Sequence, residues 1–122
     1  MGSAGRYAYT PVAPFRLADT RETPGLTRLA AGATLRVRAT GVGGVPANAR
    51  AVAANITVVD PSAAGFVTVW PCNDRPLAST GNYRAGAVRP NAAAVAVSPE
   101  GDLCLFSLAA TDVVIDLTGY WS

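Results

Sequence analysis

Two short stretches concentrate the side chains of this chain that do chemistry. The first is Phe15-Arg16-Leu17-Ala18-Asp19-Thr20-Arg21, two guanidiniums around one carboxylate in an otherwise apolar setting. Alternation along an extended strand places Leu17, Asp19 and Arg21 on one face and Arg16 on the other. A carboxylate that follows a core leucine is expected to be partly buried, and burial requires that it be paired and hydrogen-bonded. Arg21, or an arginine of the Arg36-Val37-Arg38 run, is the expected bidentate partner. The expectation is a structural ion pair built on Asp19, Arg21 and Arg16, with Asp19 also capping the turn into the next residues. The competing reading is an anion or sugar site on the same three side chains.

The second stretch is Trp70-Pro71-Cys72-Asn73-Asp74-Arg75, followed by Asn82-Tyr83. Trp70, Asn73, Asp74, Arg75, Asn82 and Tyr83 combine aromatic faces with amide, carboxylate and guanidinium. That chemistry grips a sugar by stacking on its C–H face and hydrogen-bonding its hydroxyls. A tryptophan in a strand is more often core, so a purely structural role for this stretch remains open.

Catalytic constellations are harder to assemble. The chain has no histidine and no lysine, which removes histidine triads, histidine-ligated zinc and a basic partner for a serine or threonine nucleophile. Asp112 and Asp116 share a strand face, but nothing specifies the facing carboxylate that a glycosidase needs. The glycines of Gly41-Val42-Gly43-Gly44 lack the strand-to-helix setting of a phosphate loop. No segment has the regular spacing of a calcium loop. The expectation is therefore a non-enzyme without metal or cofactor.

The 122 residues of the chain amount to one domain with one real core. Hydrophobic residues make up 50% and charged ones only 15%, below the usual quarter, so the folded surface must carry Ala, Val and Thr. A net charge of +2 without any run of like charges leaves no patch for nucleic acid. No apolar run approaches a membrane span.

The hydrophobic period is two. Leu35 and Val37 alternate with Arg36 and Arg38, and Val52, Ala54, Ile56 and Val58 alternate with Ala51, Ala53, Asn55 and Thr57. Further strand-like runs lie at Gly65–Pro71, Asn91–Ser98, Leu103–Ser107 and Thr111–Trp121, punctuated by Gly, Pro, Asn and Asp. This predicts an all-β fold, an antiparallel β-sandwich of jelly-roll type. We expect one domain over residues 11–122, with residues 1–10 a tag or linker remnant. The opening Met-Gly-Ser-Ala-Gly reads as an expression start ahead of a domain taken from a longer precursor.

Cys72 and Cys104 each lie at the end of a strand-like run, and no third or fourth cysteine completes a metal set. They read most simply as one disulfide across two strands. Two buried free thiols in a cytosolic protein are the alternative.

From about Pro11 to Trp121 the chain resembles a repeat-type domain of extracellular proteins of actinobacteria and related soil bacteria. The motifs that carry the likeness are "FRLADTR", "NITV", "GFVTVWPC", "NY" and "DLTGYW", in that order. Thr80-Gly81 departs from the Asn-Leu-like pair expected before Asn82-Tyr83. The resemblance implies a secreted or cell-surface location beside other extracellular modules, and no general activity. Two function classes follow. One is an accessory module that binds carbohydrate or cell-wall glycan. The other is a structural module that self-associates as a homo-oligomer through Ala-rich strands, with Arg36 and Arg38 at the rim.

Overall fold

In the computed structural model, which describes residues 7–122, the period-two runs form the strands they predict. β2 (Thr34–Arg38) turns Leu35 and Val37 inward and leaves Arg36 and Arg38 exposed. β3 (Ala51–Val59) buries Val52, Ala54, Ile56 and Val58 and half-exposes the residues between. β4 (Gly65–Trp70), β7 (Asp102–Ser107) and β8 (Asp112–Trp121) also follow the expected runs. Three elements differ. β1 (Tyr9–Asp19) starts two residues ahead of the expected domain edge at residue 11, because Tyr9 and Thr10 pair with Trp121 and Tyr120. β5 (Gly81–Tyr83) is only three residues long, too short to show a period. β6 (Val88–Ala96) begins three residues before the expected Asn91 and takes in Pro90, which an edge strand tolerates. The expected expression start falls on residues 1–5, outside the described part.

The pairing is that of one long hairpin folded over on itself. β1 pairs with β8, β2 with β7, β3 with β6, and β4 with β5 at the tip. Rolling that ribbon brings β8 against β3 and β7 against β4. All six ladders are antiparallel. The result is two four-stranded sheets, β1-β8-β3-β6 and β2-β7-β4-β5, the eight-stranded jelly-roll arrangement that the sequence predicts. Ile56, Ile115, Leu117 and Val52 of the first sheet meet Leu103, Leu105 and Val67 of the second, all at 0–1% exposure. One face of each sheet is thereby consumed.

The Gly41–Arg50 connection closes the space beside β1. Val45 and Ala49 enter the core, and Gly43, at φ 55°, lies so close to the Phe15 ring that a Cβ there would overlap it. Part of the apolar surface that the composition implied is thus covered by the chain's own loop.

β1 also corrects the simple alternation expected around Asp19. Register shifts fall between Pro11 and Phe15 and between Arg16 and Ala18, where Leu17 is the extra residue. A bulge of this kind re-aims the residues beyond it. Arg16 and Asp19 consequently emerge on the same outer face instead of opposite ones.

Candidate functional site

The three candidate regions are built very differently. At the end of β1, Asp19 is 1% exposed and surrounded by donors. Arg21 Nε donates to Oδ1 at 3.0 Å and Nη2 to Oδ2 at 3.0 Å, a bidentate fork, and the Arg21 backbone N–H donates to Oδ1 at 2.9 Å. Arg16 Nη1 adds a bond to Oδ2 at 3.4 Å. The bond from the Arg21 backbone N–H to Oδ1 closes an Asx turn, so the side chain does cap the following turn, whose own bonds run from the N–H groups of Glu22 and Thr23 to the Asp19 carbonyl. These bonds, chiefly those from Arg21, hold the Asp19 carboxyl below its ordinary value of 3.8, against the opposing effect of burial. Next to it, Thr20 donates its hydroxyl to Asp112 at 2.8 Å and accepts from the Val113 N–H. The guanidinium fork comes from Arg21. Arg36, of the other candidate run, pairs instead with Asp102 at 2.9 Å and Glu100 at 3.3 Å. With every oxygen of Asp19 committed, this cluster is a pin that ties β1 to β8.

The second region fails as a single binding patch. Trp70 and Tyr83 lie on opposite faces of the β2-β7-β4-β5 sheet, and both are buried. Tyr83 points into the core. Its hydroxyl accepts from the Ala109 N–H at 2.9 Å and sits 2.7 Å from Ser107 Oγ. Trp70 points outward in one row with Arg36 and Cys104, but residues 71–80 fold back over it. The indole Nε1–H donates to the Asn73 carbonyl at 2.7 Å. Cys72, at φ 63°, is disulfide-bonded to Cys104 as the sequence predicts. Arg75 stacks 3.6 Å above the Phe106 ring, and the Thr68 hydroxyl donates to the Ala78 carbonyl. Asn73, Asp74 and Asn82 remain exposed, without an open aromatic face between them. Trp70 and Tyr83 are structural.

The third region is the outer face of β1-β8-β3-β6, which sequence reading did not select. Cross-strand partners arrange it in rows: Tyr9, Trp121, Ala51 and Ala96; then Pro11, Gly119, Ala53 and Ala94; then Arg16, Asp116, Asn55 and Ala92. Tyr9 and Trp121 form an aromatic pair with centroids 4.9 Å apart, and Tyr9 is 47% exposed. The Tyr9 phenol lies in the slot that Gly119 leaves by having no side chain, and a Cβ there would collide with it. The Tyr9 hydroxyl donates to the Thr118 carbonyl at 3.4 Å. At that end of the ring opens a shallow depression of about 590 Å3, lined by Pro14, Phe15, Arg16, Asn55, Asp116 and Thr118. Arg16 Nε donates to Asp116 at 3.1 Å. Asn55 and Thr118 make only long contacts at 3.5 Å, so most of their hydrogen-bonding capacity faces the depression. Asp112, the other carboxylate of β8, is paired with Arg28 at 3.0 Å.

An aromatic face beside a carboxylate, an amide, a hydroxyl and a guanidinium is the combination expected at Trp70, assembled instead from β1, β3 and β8. Two signals in the sequence pointed to it: the Gly119-Tyr120-Trp121 end of the last strand and the outward Asn55. Both need the pairing with Tyr9 before they mean anything. No family model matches the chain, and no curated protein matches it.

Proposed function

We propose that this chain is a non-catalytic extracellular module that binds carbohydrate, as in cell-wall glycan, through the outer face of β1-β8-β3-β6. The observation that carries this reading is the exposed Tyr9 ring laid over Gly119 next to the Arg16–Asp116–Asn55–Thr118 depression. An aromatic ring supports the apolar face of a pyranose. Planar polar side chains at one end of the ring then meet its ring hydroxyls, the Asp116 carboxylate and Asn55 carbonyl accepting and the Arg16 and Asn55 N–H groups donating. The site is open and shallow, which fits a polymer chain lying across it better than a small molecule enclosed by it. The disulfide fits an oxidising, extracellular setting. Among the described residues no helix is long and apolar enough to cross a membrane. The resemblance to extracellular bacterial domains points the same way.

Pelleting with insoluble peptidoglycan, chitin and cellulose tests the reading. The parent protein is expected to sediment with at least one polymer. Tyr9→Ala and Asp116→Ala are expected to release it. Asp116→Ala is expected to keep the parental melting temperature within a few degrees, since a partly exposed ion pair contributes only about 0–1 kcal/mol, whereas Tyr9→Ala, which also gives up packing on Trp121 and Gly119, is expected to melt lower but remain folded. Asp74→Ala and Asn82→Ala are expected to bind as the parent does. Release by the Asp74 or Asn82 variants instead, or no sedimentation with any of the three, would overturn it.

A further inference from the structure

A sheet edge carries unpaired N–H and C=O groups, and folded proteins blunt such edges with bulges, prolines, charges or short strands. This sandwich has four edges, and three are blunted. β1 is interrupted by two register shifts and contains Pro11 and Pro14. β2 is five residues long and presents Arg36 and Arg38. β5 has three residues. β6 is different. It has nine residues, and its two devices, Arg89 and Pro90, both lie at its beginning. From Asn91 to Val97 the edge runs Asn-Ala-Ala-Ala-Val-Ala-Val, with no charge, no proline and no glycine. Its ladder with β3 is continuous, without any register shift. Among the described residues no strand pairs with its far side.

We infer that this edge pairs with β6 of a second copy of the chain, antiparallel, about a two-fold axis near Ala94. The occupant follows from the chemistry of the edge. Unpaired backbone groups call for a strand, and this segment is complementary to itself. A two-fold through Ala94 sets Ala92 against Ala96 and Ala93 against Val95, small neutral side chains that neither clash nor repel across the pair. Seven residues at ~3.3 Å per residue, across a sandwich ~20 Å thick, bury about 450 Å2 per copy. The total of about 900 Å2 lies below the standard size of a stable interface. The dimer is accordingly weak, forms at high concentration, and gains most when copies are held close together. It joins the two β1-β8-β3-β6 sheets edge to edge, so both outer faces stay open and turn to the same side. The inference is independent of what those faces bind.

Sedimentation equilibrium from about 10 μM to about 1 mM provides the test. The weight-average mass is expected to climb from one chain towards two across that range. Ala94→Lys and Ala94→Glu, each exposed in the monomer, are expected to stay at one chain when alone, because like charges then face each other on the axis. Mixed in equal amounts they are expected to dimerise at least as well as the parent, which also shows that both variants are folded. A parent mass of one chain at every concentration overturns the inference. So does a dimer that persists in both single variants.

Discussion

The two outer sheet faces of this sandwich were given opposite treatments. The face of β2-β7-β4-β5 carries the heavier aromatic load, with Trp70, Phe66 and Phe106, and it is covered: residues 71–80 lie over Trp70 and Phe106, fastened by the Cys72–Cys104 disulfide, the Asn73 carbonyl and Arg75. The face of β1-β8-β3-β6 carries Ala, Gly, Thr and the Tyr9–Trp121 pair, and it is left bare. Aromatic content therefore does not tell which face the chain leaves open. What distinguishes them is whether the chain has already satisfied the ring, as the 7%-exposed Trp70 is satisfied and the 47%-exposed Tyr9 is not.

The most forceful way to break the contrast is to unfasten the covered face. Replacing both cysteines by serine removes a cross-link that spans 32 residues, which the chain-entropy relation values at about 3–4 kcal/mol. Denaturant titration should show a loss of that order. The Trp70 indole N–H, protected from exchange by its bond to Asn73, should then exchange faster while Trp121 is unaffected. A covered face that stays protected without the cross-link would mean that packing alone holds the loop.

Next in size is the pin beneath the bare face. Asp19→Asn leaves the Arg21 fork facing a neutral amide, and a loss of about 2 kcal/mol is expected. That is short of the roughly 3–5 kcal/mol of a fully buried pair, since both guanidiniums reach water. The pH dependence follows from the lowered carboxyl of Asp19. Its stabilisation is complete above the ordinary value of 3.8 and drains away as pH falls through the lower value of the folded state. Thermal melts below about pH 4 should therefore converge for parent and Asn variant, and separate above it. Parallel curves over the whole range would show that the charge of Asp19 contributes nothing. Smaller still is Tyr83→Phe, which strips a buried hydroxyl from Ser107 and the Ala109 N–H and should cost about 1–2 kcal/mol. It should leave glycan pelleting untouched, in contrast to Tyr9→Ala.

The sequence carried those parts of the molecule whose signals are local. The alternation in β2 and β3 is a period-two pattern with one apolar face, and that pattern has few other solutions. Asp19 and Arg21 sit two residues apart, so their pairing was one of two options in the sequence, and the structure decides it by placing Arg36 on Asp102 and Glu100 instead. The bulge at Leu17 was hidden because it is set by the register against β8, a hundred positions away. β5 was too short to show a period, and Pro90 disguised the start of β6. Trp70 misled because nothing in Pro71–Ser79 announces that the segment folds back over its own strand. Tyr9 was passed over for a related reason. It lies in residues that read as a tag or linker remnant, and the glycine slot that displays its ring comes from position 119.

The proposed ligand meets the bare face of β1-β8-β3-β6. This contact is tested most directly by following backbone amide resonances while soluble chitin, cellulose and peptidoglycan fragments are added to about 1 mM, where even weak sugar contacts register. Shifts are expected at Tyr9, Arg16, Asn55, Thr118 and Gly119 with at least one fragment, and none at Asn73, Asp74 or Asn82. Shifts confined to residues 71–82, or no shift with any fragment, would contradict it.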